Sequence, residues 1–301
     1  MSETETVAGR CGLVAIVGRP NVGKSTLLNA LIGEKLSIVT DKPHTTRQRV
    51  LGVLNRGPHQ AVFIDTPGHA RRSTRVLHRL MARQIHQALD ECDVALLVVD
   101  AGKITSQDRT LIEVLRDKLD RTFLVLNKID TFSSKTELLP TLERFSELPF
   151  AAFIPVAAKT GENLERLVEE VVARLPQAPA LFPQGMTTDR DLAFRIAEVI
   201  REKLMTLVYQ EVPYGLTVEV EHLGHNDDGQ RLIHAIVWVE RDSHKKIVIG
   251  RAGAVLKQAG TLARQELRGL IGERVHLELW VKVREHWADN ERELTRLGFD
   301  V

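Results

Sequence analysis

Only two cysteines occur in 301 residues, Cys11 and Cys92, far apart and without another cysteine or a histidine at metal-ligand spacing. That argues against a disulfide framework and a zinc site, and predicts buried thiols in a reducing compartment. Long hydrophobic runs are also missing. A stretch such as Val94 to Val99 falls far short of the roughly 20 apolar residues that span a bilayer. The acidic start Met1 to Thr6 is unlike a signal peptide, so a cytoplasmic location is expected. Charge of one sign is not in excess, with 41 basic against 40 acidic residues. Any nucleic-acid site must therefore be local. Repeats and low-complexity segments are absent, and 43% hydrophobic with 27% charged residues describes a soluble globular chain about two domains long.

What is present is a rhythm. From residue 12 to about 175, Leu13 to Val17, Val50 to Leu54, Ala61 to Ile64, Val94 to Asp100, Phe123 to Asn127 and Ala151 to Val156 read as strands. Thr26 to Leu31, Val76 to Leu89, Ser106 to Lys118, Lys135 to Phe145 and Leu164 to Arg174 carry apolar residues at helical spacing. The alternation predicts a mostly parallel sheet with helices on both faces. The link Asn55-Arg56-Gly57-Pro58 is too short for a helical crossover, so one strand of that early pair is expected to be antiparallel. Three prolines between Leu175 and Pro183 end the rhythm as an extended, semi-stiff linker would. We place a first domain at 10–176, the linker at 177–188 and a second domain at 189–301. The second has the order helix, strand, strand, short helix, long helix, strand, an α+β pattern.

Gly18-Arg19-Pro20-Asn21-Val22-Gly23-Lys24-Ser25-Thr26 fits G-x-x-x-x-G-K-[ST] between a predicted strand and a predicted helix. There, backbone N–H groups and a helix N-terminus converge on a triphosphate, Lys24 reaches the terminal phosphates and Ser25 can bind Mg2+. Asp65-Thr66-Pro67-Gly68 ends the third strand beside this loop, where Asp65 can hold the metal shell and the Gly68 N–H can sense the γ-phosphate. Asn127-Lys128-Ile129-Asp130 follows another strand. The Asp130 carboxylate can accept from N1–H and the exocyclic amine of guanine, which adenine cannot supply, while Asn127 braces the loop and donates to the base, and the Lys128 stem covers the base. The predicted ligand is GTP or GDP with Mg2+.

Lys42 to Gln48 is polar and interrupted by proline, as the first switch loop would be. A threonine there can complete the metal shell when GTP is bound, Thr46 being favoured over Thr45. After the sixth strand, Ala157-Ala158-Lys159 offers a backbone N–H to the guanine carbonyl, though Ala157 lacks the serine hydroxyl common there.

In the second domain, Gly250-Arg251-Ala252-Gly253 is a Gly-x-x-Gly loop between two helical segments. Such loops let a single-stranded sugar-phosphate backbone approach, with apolar residues such as Ile249 as a floor for bases. No acidic residue lies between Asp242 and Glu266, whereas Lys245, Lys246, Arg251, Lys257 and Arg264 are basic. This strip suits phosphates, though a solvated helix face can share the composition. Trp280 and Trp287 read as packing rather than base-stacking residues.

Both halves together resemble the Era family of bacterial GTPases of small-subunit ribosome assembly over nearly the full length. The resemblance rests on Gly18 to Leu31, His44 to Gln48, Asp65 to Gly68, Asn127 to Asp130, Arg201 to Met205, Lys245 to Gly253 and His276 to Val283. It implies a P-loop GTPase domain followed by a type II KH domain with a C-terminal tail helix. It also implies binding of the 3′ end of 16S rRNA, docking of a monomer on the 30S subunit, slow hydrolysis and loose association with the inner face of the membrane. Two positions depart from the family. His69 stands where an apolar residue is usual; it either assists hydrolysis or points to solvent. Ala252 replaces a common glycine. A constitutive RNA-binding module with a structural G domain, and a membrane-associated signalling GTPase, are the competing readings.

Overall fold

The computed structural model describes residues 9–69, 75–209 and 211–299, which fall into two compact units. The first comprises residues 9–37, 46–69 and 81–189, and the second residues 38–45, 75–80 and 190–299.

The first unit is built on a six-stranded sheet of β1 (Cys11–Val17), β2 (Val50–Arg56), β3 (His59–Asp65), β4 (Val94–Asp100), β5 (Thr122–Asn127) and β6 (Ala152–Pro155), ordered β2-β3-β1-β4-β5-β6. All neighbours are parallel except β2 and β3, whose tight connection makes them an antiparallel pair. The helices are α1 (Lys24–Ile32), α2 (Val76–Glu91), whose first turn belongs to the second unit, α3 (Ser106–Val114), α4 (Leu139–Glu143) and α5 (Leu164–Arg174). Strand residues Ala15, Val17, Leu97, Val99, Leu124 and Leu126 share one core cluster with Ile85, Ala88 and Leu89 of α2 and Leu111 and Ile112 of α3. Val14 and Ile16 alternate with them and are fully buried as well, so the opposite face is covered too; α1 and α5 touch the strands there.

Two expected helices are shorter than their apolar spacing suggests. The stretch from Lys135 opens as a 3-10 turn, Lys135–Leu138, before α4, because Pro140 at the start of α4 has no N–H to continue the earlier turn. The one from Ser106 ends at Val114 and passes into a 3-10 turn, Arg116–Arg121. The proline-rich stretch is extended but pinned rather than loose. Buried Gln60 accepts from the N–H groups of Leu181 and Phe182 at 2.8 and 2.9 Å and donates to the Phe182 carbonyl at 2.9 Å. Further along, the Thr187 carbonyl accepts from Val53 N–H at 2.8 Å.

The second unit has a three-stranded sheet of β7 (Leu216–His225), β8 (Arg231–Val239) and β9 (Val275–Val283), antiparallel then parallel. Helices α6 (Leu192–Leu207), α7 (Asp242–Ile249) and α8 (Ala254–Ile271) supply Ile196, Ile200, Val248, Ala259 and Leu267 to a core completed by Ile233, Ala235 and Val237 of β8. The expected terminal helix is broken. A 3-10 turn at Trp287–Asp289 precedes α9 (Glu291–Arg296), whose start is set by Asn290 accepting from Arg292 N–H at 3.0 Å. Among the described residues no helix is long and apolar enough to cross a membrane.

Trp287 is fully buried and donates to the Gly215 carbonyl at 3.1 Å. Trp287→Ala therefore empties a core site and should cost the second unit about 3–5 kcal/mol. Denaturant unfolding measures it; a loss under about 1 kcal/mol would show that this ring does not hold the C-terminal segment.

Candidate functional site

Because β1, β3, β4, β5 and β6 run parallel, the loops that leave their carboxyl ends gather at one edge of the first unit. The phosphate loop, Asp65–Gly68, Asn127–Asp130 and Ala157–Lys159 lie on those loops, whereas the switch stretch Lys42–Gln48 precedes the antiparallel β2. The phosphate loop turns at Gly23, with φ 99°, where a Cβ would fall 2.3 Å from Asn127 Nδ2; glycine is required for both reasons. Helix α1 then begins with no side-chain cap and no acidic residue in its first turn. Its first N–H groups and dipole are therefore left for an anionic ligand rather than used by a built-in carboxylate. Arg19 does not enter that space. Its guanidinium pairs with buried Asp108 at 3.2 Å and donates to the Lys103 carbonyl at 2.9 Å, tying the loop to the start of α3. Asn21 takes a left-handed φ of 63°, Val22 is fully buried, and Pro20 and Thr26 are half-buried.

Lys24 is buried and donates to the Arg19 carbonyl at 3.1 Å. Burial pulls its pKa down to about 8, opposed by the charge of Asp65 and assisted by that of Arg19. Asp65 is wholly buried, and burial raises its pKa against the effects of Lys24 and hydroxyl hydrogen bonds. Ser25 Oγ donates to Asp65 Oδ2 at 2.7 Å and lies 2.8 Å from Thr46 Oγ1, which is 3.4 Å from the same carboxylate oxygen. Asp65 Oδ1 is buried without a hydrogen bond. The structure thus brings together Lys24, Ser25, Thr46 and Asp65. It does not bring Thr45, whose hydroxyl donates to the Lys42 carbonyl at 2.6 Å. Thr66 is spent on the Ile16 carbonyl at 2.8 Å, and Pro67 and Gly68 are buried.

His69 follows half-buried, its N–H donating to the Gly18 carbonyl at 3.1 Å. Burial lowers its imidazole pKa, and the charges of His86 and Lys24 act in the same direction. The side chain is partly enclosed and feels the Lys24 charge.

At the far end of the edge, Asn127 is a buried brace. Its Nδ2 donates to the Val22 carbonyl at 2.8 Å and its Oδ1 accepts from Ala158 N–H at 2.9 Å, locking the phosphate loop to the turn after β6. Lys128, at φ 68°, donates to the Asn21 carbonyl at 2.8 Å and to Asp100 at 2.7 Å. Asp100 is a member that sequence reasoning missed; its only signal was a carboxylate at the end of an apolar strand. Asp130 is exposed and ready to accept from a ligand. In the turn after β6, Ala157 N–H is bonded to the Glu162 carbonyl at 3.1 Å and Ala158 N–H to Asn127. Of the three predicted N–H donors, that of Lys159 is the one left to a ligand among the described residues.

The second unit carries the Gly-x-x-Gly loop between α7 and α8. Gly250 has φ 75°, and a Cβ there would sit 2.5 Å from Val255 Cγ2; no other residue fits. Ala252 has φ 49° and ψ 32°, a left-handed geometry that costs a non-glycine residue about 1 kcal/mol. Gly253, at φ 77°, starts α8 without a side-chain cap. Around the loop Lys246, Arg251 and Lys257 are exposed and Lys245 half-exposed, and none of the four pairs with a described carboxylate. Ile249 is half-buried beside them. An open loop ringed by unpaired cations is an electrostatic fit for a phosphodiester chain. Trp280 is partly exposed on the open sheet face, its ring edge-on to His234 at 5.2 Å.

Comparison with known proteins agrees with this geometry. Residues 13–128 match the family model of a 50S ribosome-binding GTPase, and residues 211–288 match that of a KH domain. GTPase Era of Yersinia pestis (strain Pestoides F) is 42% identical over 300 residues, covering 99% of this chain and 98% of its own. The crystal structure of an Aquifex aeolicus Era variant bound to GDP and aluminium fluoride superposes with a TM-score of 0.93 at 38% identity, over 97% of this chain and 100% of that one. Era in complex with MgGDPNP and nucleotides 1506–1542 of 16S ribosomal RNA gives 0.92 at 37% identity, over 97% and 99%. With its phosphate loop, its Asn-Lys-x-Asp turn and its Gly-x-x-Gly loop all in place, the chain belongs to the Era family of GTPases, a GTPase domain followed by a KH domain.

Proposed function

We propose that Mg2+ and GTP bind at the loop edge of the first unit and that the bound nucleotide controls capture of the 16S rRNA 3′ end by the second. The observation that carries this is the convergence of Ser25, Thr46 and Asp65 on one point beside buried Lys24. Three oxygen donors suit a hard divalent cation, and the orphaned Asp65 Oδ1 fits a group that the protein alone does not supply. When bound, Mg2+ neutralises charge on the β- and γ-phosphates.

The residues divide the rest of the work. The N–H groups from Gly18 to Thr26 and the start of α1 cradle the phosphates, Lys24 sets its ammonium against the terminal pair, and the Gly68 N–H reports the γ-phosphate. Asp130 reads the guanine edge, Lys128 covers the base, and the Lys159 N–H takes the carbonyl oxygen. Hydrolysis by positioning and charge neutralisation alone is slow. His69, partly enclosed and with its imidazole pKa lowered by burial, orients the attacking water. Lys245, Lys246, Arg251 and Lys257 hold the RNA backbone around Gly250 to Gly253, with Ile249 beneath the bases. An Era bound to the 16S 3′ end together with a GTP analogue supports this pairing of ligands. Docking on the 30S subunit follows from the same RNA contact, whereas loose membrane association rests on family resemblance alone.

A fluorescent RNA with the sequence of the 16S 3′ tail tests the switch. It should bind at least fivefold more tightly with a non-hydrolysable GTP analogue than with GDP, the lower end of ordinary coupling energies; equal affinities would make the chain a constitutive RNA-binding module.

His69→Ala should lower kcat for GTP by about tenfold or more without raising KM, a loss within the range of a positioned general base or water-orienting group. Because the His69 pKa is depressed, the advantage of wild type over the variant should persist as pH falls to the ordinary imidazole value of about 6.5 and vanish only below it. Equal turnover with and without 30S subunits would remove His69 from the mechanism.

Gly250→Ala should weaken RNA binding about tenfold and destabilise the second unit by about 1–3 kcal/mol through strain at positive φ. Ala252→Gly should preserve both. RNA titration beside thermal unfolding separates these outcomes.

A further inference from the structure

β4 ends at Asp100, and its register against β5 sets that residue opposite Asn127, the last residue of its own strand. The sheet thereby delivers a carboxylate to the turn that carries Lys128. Asp100 is itself held in place: its Oδ1 accepts from Gly102 N–H at 3.1 Å, its carbonyl accepts from Lys103 N–H at 2.9 Å, and the next residue, Ala101, donates its N–H to the Asn127 carbonyl at 2.9 Å. Just beyond, the chain is fastened to the phosphate loop. The Lys103 carbonyl accepts from Arg19 Nη2 at 2.9 Å, and buried Asp108 accepts from Arg19 Nε at 3.2 Å and from Thr105 N–H at 2.8 Å. The second Asp100 oxygen, Oδ2, accepts from Lys128 Nζ at 2.7 Å.

Lys128 is therefore stretched between two fixed acceptors, Asp100 at the end of β4 and the Asn21 carbonyl of the phosphate loop at 2.8 Å. Left alone it would not keep this course. A lysine stem is long and flexible, and the backbone of Lys128, at φ 68°, lies in the left-handed region that a residue with a Cβ rarely adopts. Fold stability does not account for the ion pair: the Lys128 and Asp100 side chains are 37% and 17% exposed, and a pair so placed contributes little to folding. What the pair fixes is the direction of the stem. We infer that Asp100 is a positioning residue for the guanine base: it holds the Lys128 ammonium at the end of β4 so that the stem lies across the base site before nucleotide arrives, acting through Lys128 and not on the nucleotide. This rests on the proposed role of Lys128 as the cover of the base. A stem ordered in advance removes that ordering cost from binding. Its loss should show mainly as faster release, and alike for GTP and GDP, which carry the same base.

The test follows release of fluorescent GDP and of a fluorescent non-hydrolysable GTP analogue from full-length protein after a chase of unlabelled nucleotide. Lys128→Met sets the reference and should speed release of both about fivefold or more. Asp100→Asn, which keeps the shape of the side chain and removes its charge, should speed both to a similar extent. Asp100→Glu should restore part of the retention, and the Asp100→Asn/Lys128→Met double variant should release no faster than Lys128→Met alone. The ratio of affinities for GDP and inosine diphosphate separates covering the base from reading its edge, because the inosine base lacks the exocyclic amine from which Asp130 accepts. In Asp100→Asn that ratio should stay within about twofold of wild type. Asp100→Ser, which keeps an acceptor for the Gly102 N–H, decides the matter if Asp100→Asn does not fold. If Lys128→Met speeds release while the folded Asp100 variants do not, or if the two effects multiply in the double variant, the positioning role is overturned and the base-covering role of Lys128 stands. A ratio that collapses in Asp100→Asn overturns it too, since the disturbance would then lie in the Asp130 turn. If Lys128→Met itself leaves release unchanged, the base-covering role fails and the positioning role with it.

Discussion

Lys24 and Asp65 are both buried at the carboxyl edge of the first unit's sheet, and burial disfavours the charged form of each. Their mutual attraction offsets part of that cost, but Asp65 keeps one buried oxygen without a hydrogen bond. A pair of this kind contributes little to stability in its own right. On the proposed function its value lies in being completed by a nucleotide that brings phosphate charge to Lys24 and a hard cation to Asp65. The rest of the edge is arranged around that incompleteness: α1 starts without a cap, Gly23 clears the way for Asn127, and Arg19 is drawn aside by Asp108.

Asn127 and Lys128 each donate to a carbonyl of the phosphate loop, so on the proposed function the base-reading turn and the phosphate-holding loop share one frame. Preorganisation of that kind lets selectivity for the base and retention of the phosphates reinforce each other.

Much of this was legible in the sequence because the chemistry is local. The phosphate loop, Asp65, Asn127 with Asp130, and Gly250 with Gly253 are each short motifs between a strand and a helix or between two helices, and apolar spacing alone placed them. Thr46 was preferred to Thr45, and the structure separates the two by the partners of their hydroxyls. What was not legible depends on contacts distant in sequence. Gln60 pins a proline-rich segment about 120 positions away, so an expected linker lies on the first unit. Residues 38–45 join the second unit through Arg201 and Glu202, which on paper are two more charged residues in an amphipathic helix. Neither Ala157 nor Ala158 has a spare N–H, because Glu162 and Asn127 use them. The helix predicted from Trp287 onward breaks at Asn290, whose capping side chain was present in the sequence but outweighed by apolar spacing.

The central claim is that the buried charges of the loop edge are settled by magnesium and a guanine nucleotide. Thermal unfolding of the full chain with excess Mg2+ and either GTP or ATP tests it most directly, since a ligand that binds only the folded state stabilises it by mass action. The account predicts that Mg2+ with GTP raises the melting temperature of the first unit by several degrees, roughly the effect of about 2–3 kcal/mol at a hundredfold excess over Kd, while Mg2+ with ATP leaves it in place. Equal stabilisation by both nucleotides, or by neither, would contradict it.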